Sequence, residues 1–226
     1  MQLTTTLRLL RRSQACADRY NHLVSQLGPD WVDDRPIPLV IILTLNGLYD
    51  AVWALRAVPA EQVGWAKRIA RLFAADCAEA VAWVWDLYGP PEIEWHPRDC
   101  IRVARAFAVG QATVGDLVAA KSDASAAAWA ADMTTASAVW APARAARTTA
   151  TAAMGTARAG WAAISLTMAA ISGAVSAAAR NASAASVALE TAKKEQTKNL
   201  LTYLEMGGRL NRNPRTIYVR PGYFGG

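Results

Sequence analysis

His96 and Cys100 stand four residues apart, a spacing that sets two metal ligands on one face of a helix. Pro97 interrupts the pair and no other His or Cys is close in sequence, so a helix-capping His96 and a buried Cys100 are the expected roles. Carboxylates come in pairs at Asp33 with Asp34, Asp76 with Glu79, and Glu92 with Glu94, and paired carboxylates can serve acid–base chemistry when a pocket tunes them apart. Asp76 and Glu79 share a helical stretch with Arg68, Arg71 and Trp83, where ion pairing at three or four residues along one helix is the expected role. Phosphate-cradling, dinucleotide, zinc-protease and nucleophile-elbow motifs are all missing from the chain. The reading is therefore a non-enzymatic protein without a cofactor or metal.

Composition narrows the class further. Hydrophobic types make up 53% of the 226 residues and charged types 19%, which is too apolar for disorder along the whole chain. The three cysteines, Cys16, Cys77 and Cys100, are widely spaced and give neither a disulfide framework nor a cysteine zinc site, so a reducing cytoplasm is expected. Arg8, Arg11 and Arg12 break the apolar run near the start, which argues against a signal peptide. Charge is uneven: residues 1–132 hold 13 basic and 15 acidic side chains, and residues 133–226 hold 11 and 3. The net charge of +6 thus comes from the second half.

The elements that position these residues read as helices throughout. Thr4 to Thr6 supply N-cap oxygens for a helix reaching about Leu27, which Gly28 and Pro29 end. The apolar run PLVIILTL after Pro36 is a strand or a buried helix by itself, and its neighbours favour helix. Asn46-Gly47 is a turn before LYDAVWALRAV, which sets Leu48, Val52 and Leu55 on one face. Pro59 opens a long helix to about Tyr88, and Pro97 and Asp99 open another that buries Ile101, Ala104, Phe107 and Ala108 and ends at Gly110. Thr113 caps a further helix with Asp116 in its first turn.

From Val118 to Ala188 there are 31 alanines in 71 residues, a composition that favours helix because alanine loses least entropy there. Met133, Trp140, Met154, Trp161, Met168, Val175 and Leu189 share a seven-residue register through this region, the pattern of a packed core or an oligomer seam. The uncharged stretch 159–179 has membrane-spanning length, but its strong apolar residues lie on one narrow stripe, so a packed soluble helix is expected. The architecture that follows is all-α, a multi-helix bundle or array with an Ala-rich helical second half and an irregular C-terminal tail. Three parts are expected: a helical domain over 1–132, an Ala-rich helical region over 133–206 packed on it or forming the seam, and a basic, aromatic tail over 207–226.

The segments ACADRY, IPLVIILTLNGLYDAVWALRAV, ARLFAADCAEAV and HPRDCIRVARAFAVG occur in this order between Leu7 and Trp129. This order resembles the all-helical putative immunity proteins, the fifth immunity-protein domain family. Asn46, Gly47, Asp50, Trp53 and Arg56 carry the first block of the resemblance, and Asp76, Cys77, Glu79, Pro97, Arg98 and Arg105 carry the later ones. The resemblance implies a small helical protein that neutralises a toxin by binding it, from a toxin locus or a phage genome. In this chain the matching residues are read mainly as scaffold, with Asp50 and Arg56 placed for fold-stabilising ion pairs and Asn46-Gly47 for the turn.

A protein partner, a toxin or a component of a defence complex, is therefore the first expectation, with self-association through the seam beside it. The tail supplies the candidate partner-binding residues Arg209, Arg212, Arg215, Tyr218, Arg220, Tyr223 and Phe224, a mixture of guanidinium groups and aromatic rings suited to anchoring. Together with Lys193, Lys194 and Lys198, the same residues suit phosphates and stacked bases, so nucleic acid is the alternative partner.

Overall fold

In the computed structural model, residues 2–79, 97–133 and 182–206 are described. The fold is all-α: eight α-helices and one 3-10 turn lie among those residues, beside a single two-stranded ribbon of two residues per strand. The order is β1 (Thr4–Thr5), α1 (Leu7–Arg12), α2 (Ala17–Leu27), β2 (Ile37–Pro38), α3 (Leu39–Asn46) and α4 (Leu48–Ala54). The 3-10 turn Ala60–Gln62 then leads into α5 (Val63–Glu79), followed by α6 (Pro97–Ala108), α7 (Val114–Met133) and α8 (Ala182–Met206). Among the described helices, none is long and apolar enough to cross a membrane. The stretch 159–179, most of the seven-residue register, His96, and the end of the α5 run beyond Glu79 lie outside the described residues.

The first expected helix is two helices. Thr6 caps α1, its side chain accepting from the Leu9 amide at 3.1 Å. The helix then stops at Ser13 because Gln14 takes a left-handed backbone, φ +61°. The Ala15 amide reaches back to the Leu10 carbonyl at 3.0 Å and the Gln14 amide to the Arg11 carbonyl at 2.9 Å, the pair of bonds that closes a Schellman end. A glycine ordinarily fills that slot, so a glutamine there leaves no mark in the sequence.

Thr4 and Thr5, expected as capping residues, instead pair antiparallel with Pro38 and Ile37. The ribbon is locked from below by Gln62, whose side-chain oxygen accepts from the Thr4 amide at 2.8 Å while its amide donates to the Thr4 hydroxyl at 3.1 Å. The buried Thr5 hydroxyl donates to the Ala57 carbonyl. These bonds satisfy polar groups that would otherwise be stranded in a buried place, where each unmade bond costs about 1–3 kcal/mol.

The apolar run after Pro38 is α3, and Leu39 and Ile42 are almost wholly enclosed. Gly47, at φ +85°, ends α3 and begins α4 in one step, so the expected turn is a sharp corner between two short helices. Helix α5 is buried on most sides, with Ile69, Leu72 and Phe73 at its centre. It packs on α6, and α6 packs on α7. Ile101, Ala104 and Ala108 are buried on α6 as the spacing predicts, while Phe107 is half-buried beneath the Arg71 guanidinium at 5.1 Å. Thr113 and Asp116 cap α7 reciprocally: Asp116 accepts from the Thr113 amide and hydroxyl, and Thr113 accepts from the Asp116 amide.

Helix α8 returns to the first part of the chain and packs on α3, α4 and α5. Leu200, Tyr203 and Leu204 join the same core cluster as Leu3, Ile37, Ile69 and Phe73. The C-terminal part of the Ala-rich region is thus built into the core of the N-terminal helices.

Candidate functional site

The four segments that carry the family resemblance meet in space two by two. ACADRY covers the start of α2 and NGLYDAVWALR covers the α3–α4 corner, and residues of both line one half-open cleft of about 150 Å³. FAADCAE forms the last described residues of α5 and PRDCIRVAR forms most of α6, and these two helices are tied by ion pairs.

The cleft has an apolar floor of Leu10, Leu23, Ile42 and Ala54. Its walls carry Tyr20, Tyr49 and Trp53, with Cys16, Arg19, Asn46 and Asp50 among the remaining lining residues. Asn46 is the organising group. Its side-chain amide donates to the Arg19 carbonyl at 3.0 Å and to Asp50 Oδ2 at 2.9 Å, and since both partners are acceptors the amide orientation is fixed. One side chain thereby joins α2, α3 and α4. Its carbonyl oxygen, Oδ1, is left buried with no donor. Asp50 is mostly enclosed, with 17% of its side chain exposed. Its second oxygen is 3.9 Å from Arg19 Nε, beyond hydrogen-bond reach, and the Arg19 side chain is 58% exposed.

The expected ion pair of Asp50 is thus a loose one. Arg56 differs from expectation: its guanidinium lies over the Trp53 ring at 5.2 Å, a cation–π contact where an ion pair was expected. The α4 helix ends at Ala54, so Arg56 follows in a turn that folds it back along Trp53.

The second meeting place corrects the expectation of ion pairs within one helix. Asp76 is paired with Arg105 and Glu79 with Arg98, both across the α5–α6 interface, because the carboxylates sit on the face of α5 turned to α6. The Tyr203 hydroxyl, arriving on α8, donates to the other Asp76 oxygen. The Asp76 side chain is 14% exposed and that of Arg105 24%. Burial raises the Asp76 carboxyl above its usual range, with Arg105 and Tyr203 pulling the other way. Arg105 loses hydration too, yet the field of Asp76 leaves it raised. Burial and the neighbouring Asp76 charge push both the Cys77 thiol and the Tyr203 hydroxyl up. Among the described residues, Asp76 is held from α6 by Arg105 and from α8 by Tyr203, which suits a structural clamp joining α5, α6 and α8.

Pro97 opens α6. Among the described residues no three His, Cys, Asp or Glu side chains gather into a group able to hold a metal ion. Arg209, Arg212, Arg215, Tyr218, Arg220, Tyr223 and Phe224, the expected partner-binding residues, lie outside the described residues.

The candidate residues read from sequence omitted Arg19, Tyr20 and Tyr49 from the cleft and Tyr203 from the clamp. Arg19 and Tyr20 stand in ACADRY and Tyr49 in NGLYDAVWALR, so the segments were visible although their facing was not. Tyr203 is 127 residues from Asp76, and no local pattern announces that contact.

No family model matches the chain, and neither a curated protein nor a solved structure does.

Proposed function

We propose that this chain is a non-enzymatic protein-binding inhibitor of immunity or phage counter-defence type, which masks a partner protein by steric occlusion. The observation that supports it is the pairing of ACADRY with the NGLYDAVWALR block around one half-open cleft. Tyr, Trp and Arg supply its walls, the residue types in which binding energy concentrates. Two tyrosines and a tryptophan give contact area with few torsions to freeze, so ordering them on a partner costs little. On this reading the α5–α6 half of the resemblance serves as scaffold, and the basic tail acts as a second, flanking contact arm.

Nucleic-acid binding through the C-terminal half is the weaker reading. Lys193 is engaged by Glu190 at 2.7 Å on α8, Lys194 and Lys198 are exposed on the same helix, and the arginines of that reading lie in the tail.

The test uses the tagged full chain expressed in its native host. A stoichiometric protein partner should co-purify, its growth inhibition should be relieved by co-expression of this chain, and Tyr20→Ala with Trp53→Ala should abolish both effects. Removal of residues 207–226 should weaken the complex while leaving the far-UV helical signal intact, since Leu200, Tyr203 and Leu204 remain. Recovery of this chain alone from every host tested, with no toxicity relieved, overturns the proposal.

A further inference from the structure

Helix α2 is held more lightly than its neighbours, and its attachments are arranged as two pivots and a latch. Of its eleven residues only Leu23 is buried, whereas α3 buries three of eight and α4 four of seven. Tyr20, Val24 and Leu27 are partly buried against the same core. Among the described residues the polar ties from α2 to other helices are few. The Asn46 side-chain amide donates to the Arg19 carbonyl at 3.0 Å, Arg19 Nε stands 3.9 Å from Asp50, and the Arg11 guanidinium lies over the Tyr20 ring at 5.8 Å. The cap residue Cys16 makes no side-chain bond to the first turn.

Both ends of α2 adjoin left-handed backbone. Gln14 has φ +61°, and Gly28 has φ +85° with ψ 168°, a region open in practice to glycine alone. Outside these two points the chain is fastened again. Leu7 and Leu10 bury α1, and beyond Gly28 the Asp33 carbonyl accepts from the Arg8 amide at 3.2 Å, while Asp33 and Asp34 pair with Arg11 and Arg8. The segment between the pivots is thus bounded on both sides. The cleft of about 150 Å³ lies between it and Leu10, Ile42 and Ala54 of α1, α3 and α4. Unfilled space on that side of α2 has no atoms to attract it, so lifting the helix forfeits less than lifting a closely packed one.

We propose that α2 is a hinged flap that turns about Gln14 and Gly28, releases the Asn46 latch, and uncovers Leu10, Ile42 and Ala54 while the remaining helices stay folded. Hinges of this kind are a few element-terminal residues that absorb the change in backbone angles. Leu23 leaves with the flap, so opening turns the half-open cleft into a wider apolar groove between α1, α3 and α4. The flap needs no partner in order to move, and its test is independent of the inhibitor reading.

Native-state hydrogen exchange of the full chain supplies that test. Once lifted, an eleven-residue helix is too short to keep its own hydrogen bonds, so its amides exchange when it leaves the core. Amides of residues 20–27 should be at least about ten-fold less protected than those of residues 70–77 in α5, and low urea should hardly accelerate them, because a local opening exposes little surface. Ile69→Val weakens a part of the core that is intact with the flap closed or open. It should speed exchange in α5 about two- to ten-fold and leave residues 20–27 unchanged.

A second readout comes from Ile42→Cys in a Cys16→Ser background. Opening of the flap uncovers the introduced thiol and leaves Cys77 and Cys100 buried, so iodoacetamide should alkylate it at least about ten-fold faster than Cys77 in the same molecule. If the change at position 42 unfolds the chain, exchange on the unaltered protein still decides. Exchange at residues 20–27 as slow as in α5, an equal acceleration of both by Ile69→Val, or alkylation of the two thiols at one rate overturns the flap.

Discussion

Removing Asp76 tests how the three-helix clamp is held. Asp76→Ala strands the Arg105 guanidinium, whose side chain is only 24% exposed, and takes the acceptor from the Tyr203 hydroxyl. Breaking one side of a buried pair costs about 3–5 kcal/mol, and partial exposure of Arg105 puts the expectation near the lower end, about 3 kcal/mol. For a chain of this length that lowers the melting temperature by about 6–12 °C. Arg105→Ala should cost a similar amount, because Asp76 is then held by Tyr203 alone. The double variant leaves neither charge stranded, so its loss should fall short of the sum of the single losses by about 2–3 kcal/mol. Urea denaturation of the four proteins at pH 7 measures this, with unchanged slopes showing that the unfolding transition is comparable.

The pH dependence has a definite sign. The folded Asp76 carboxyl is raised above its unfolded value, so the folded state binds more protons between the two. The stability this group contributes is fully present below the unfolded value of 3.8 and is lost as pH rises through the raised folded value. Asp76→Asn removes that titration, so its deficit against the unaltered protein should be larger at pH 4 than at pH 7. Additive single losses would refute the coupled clamp, and a deficit that grows with rising pH would refute the raised Asp76 carboxyl.

Other parts of the fold give separate expectations. Gln14→Gly should be neutral or stabilise the protein by up to about 1 kcal/mol in chemical denaturation, because Gln14 occupies a left-handed slot that glycine fills without a Cβ penalty. Gly47→Ala should lower stability by about 1–2 kcal/mol through its backbone alone, as no atom lies within 4 Å of the added Cβ. Thr113→Val should move the Asp116 carboxyl part of the way up toward its ordinary value in an NMR titration, since the residue-113 amide still donates to it and only the hydroxyl bond is lost. Ellman's reagent should react rapidly with one thiol, Cys16, in the native protein and with all three cysteines in denaturant.

The sequence was legible where a single element announces itself. Proline at 97, glycine at 47 and 110, and the Thr113–Asp116 cap each mark a helix end by local backbone chemistry, whereas Pro59 opens a 3-10 turn and α5 begins four residues later at Val63. The break at Gln14 escaped because its left-handed residue is neither glycine nor asparagine. The strand pair Thr4–Thr5 with Ile37–Pro38 escaped because two residues are too few for an alternating pattern to register.

What lay beyond the sequence was which polar faces meet. Asp76 shares α5 with Arg71 and Arg68, which stand five and eight residues before it and so miss the three- or four-residue spacing of a same-face pair; the carboxylate turns toward α6 and finds Arg105. Asn46 looked like half of a turn dipeptide because Asn-Gly is a turn signal, and it is one; the same asparagine also spends its amide on two other helices, which only the assembled corner can bring within reach. Local pattern specifies where helices end, whereas the partners of their polar groups depend on the angle at which short helices cross. That is why the cleft, built from a corner between α3 and α4 and a helix that restarts after Gln14, takes its shape from the two turns rather than from any motif within a helix. A substitution that straightened either turn should therefore disturb the cleft before it disturbs the α5–α6 clamp: in Gly47→Ala, alkylation of Cys16 should change rate while Cys77 and Cys100 stay protected.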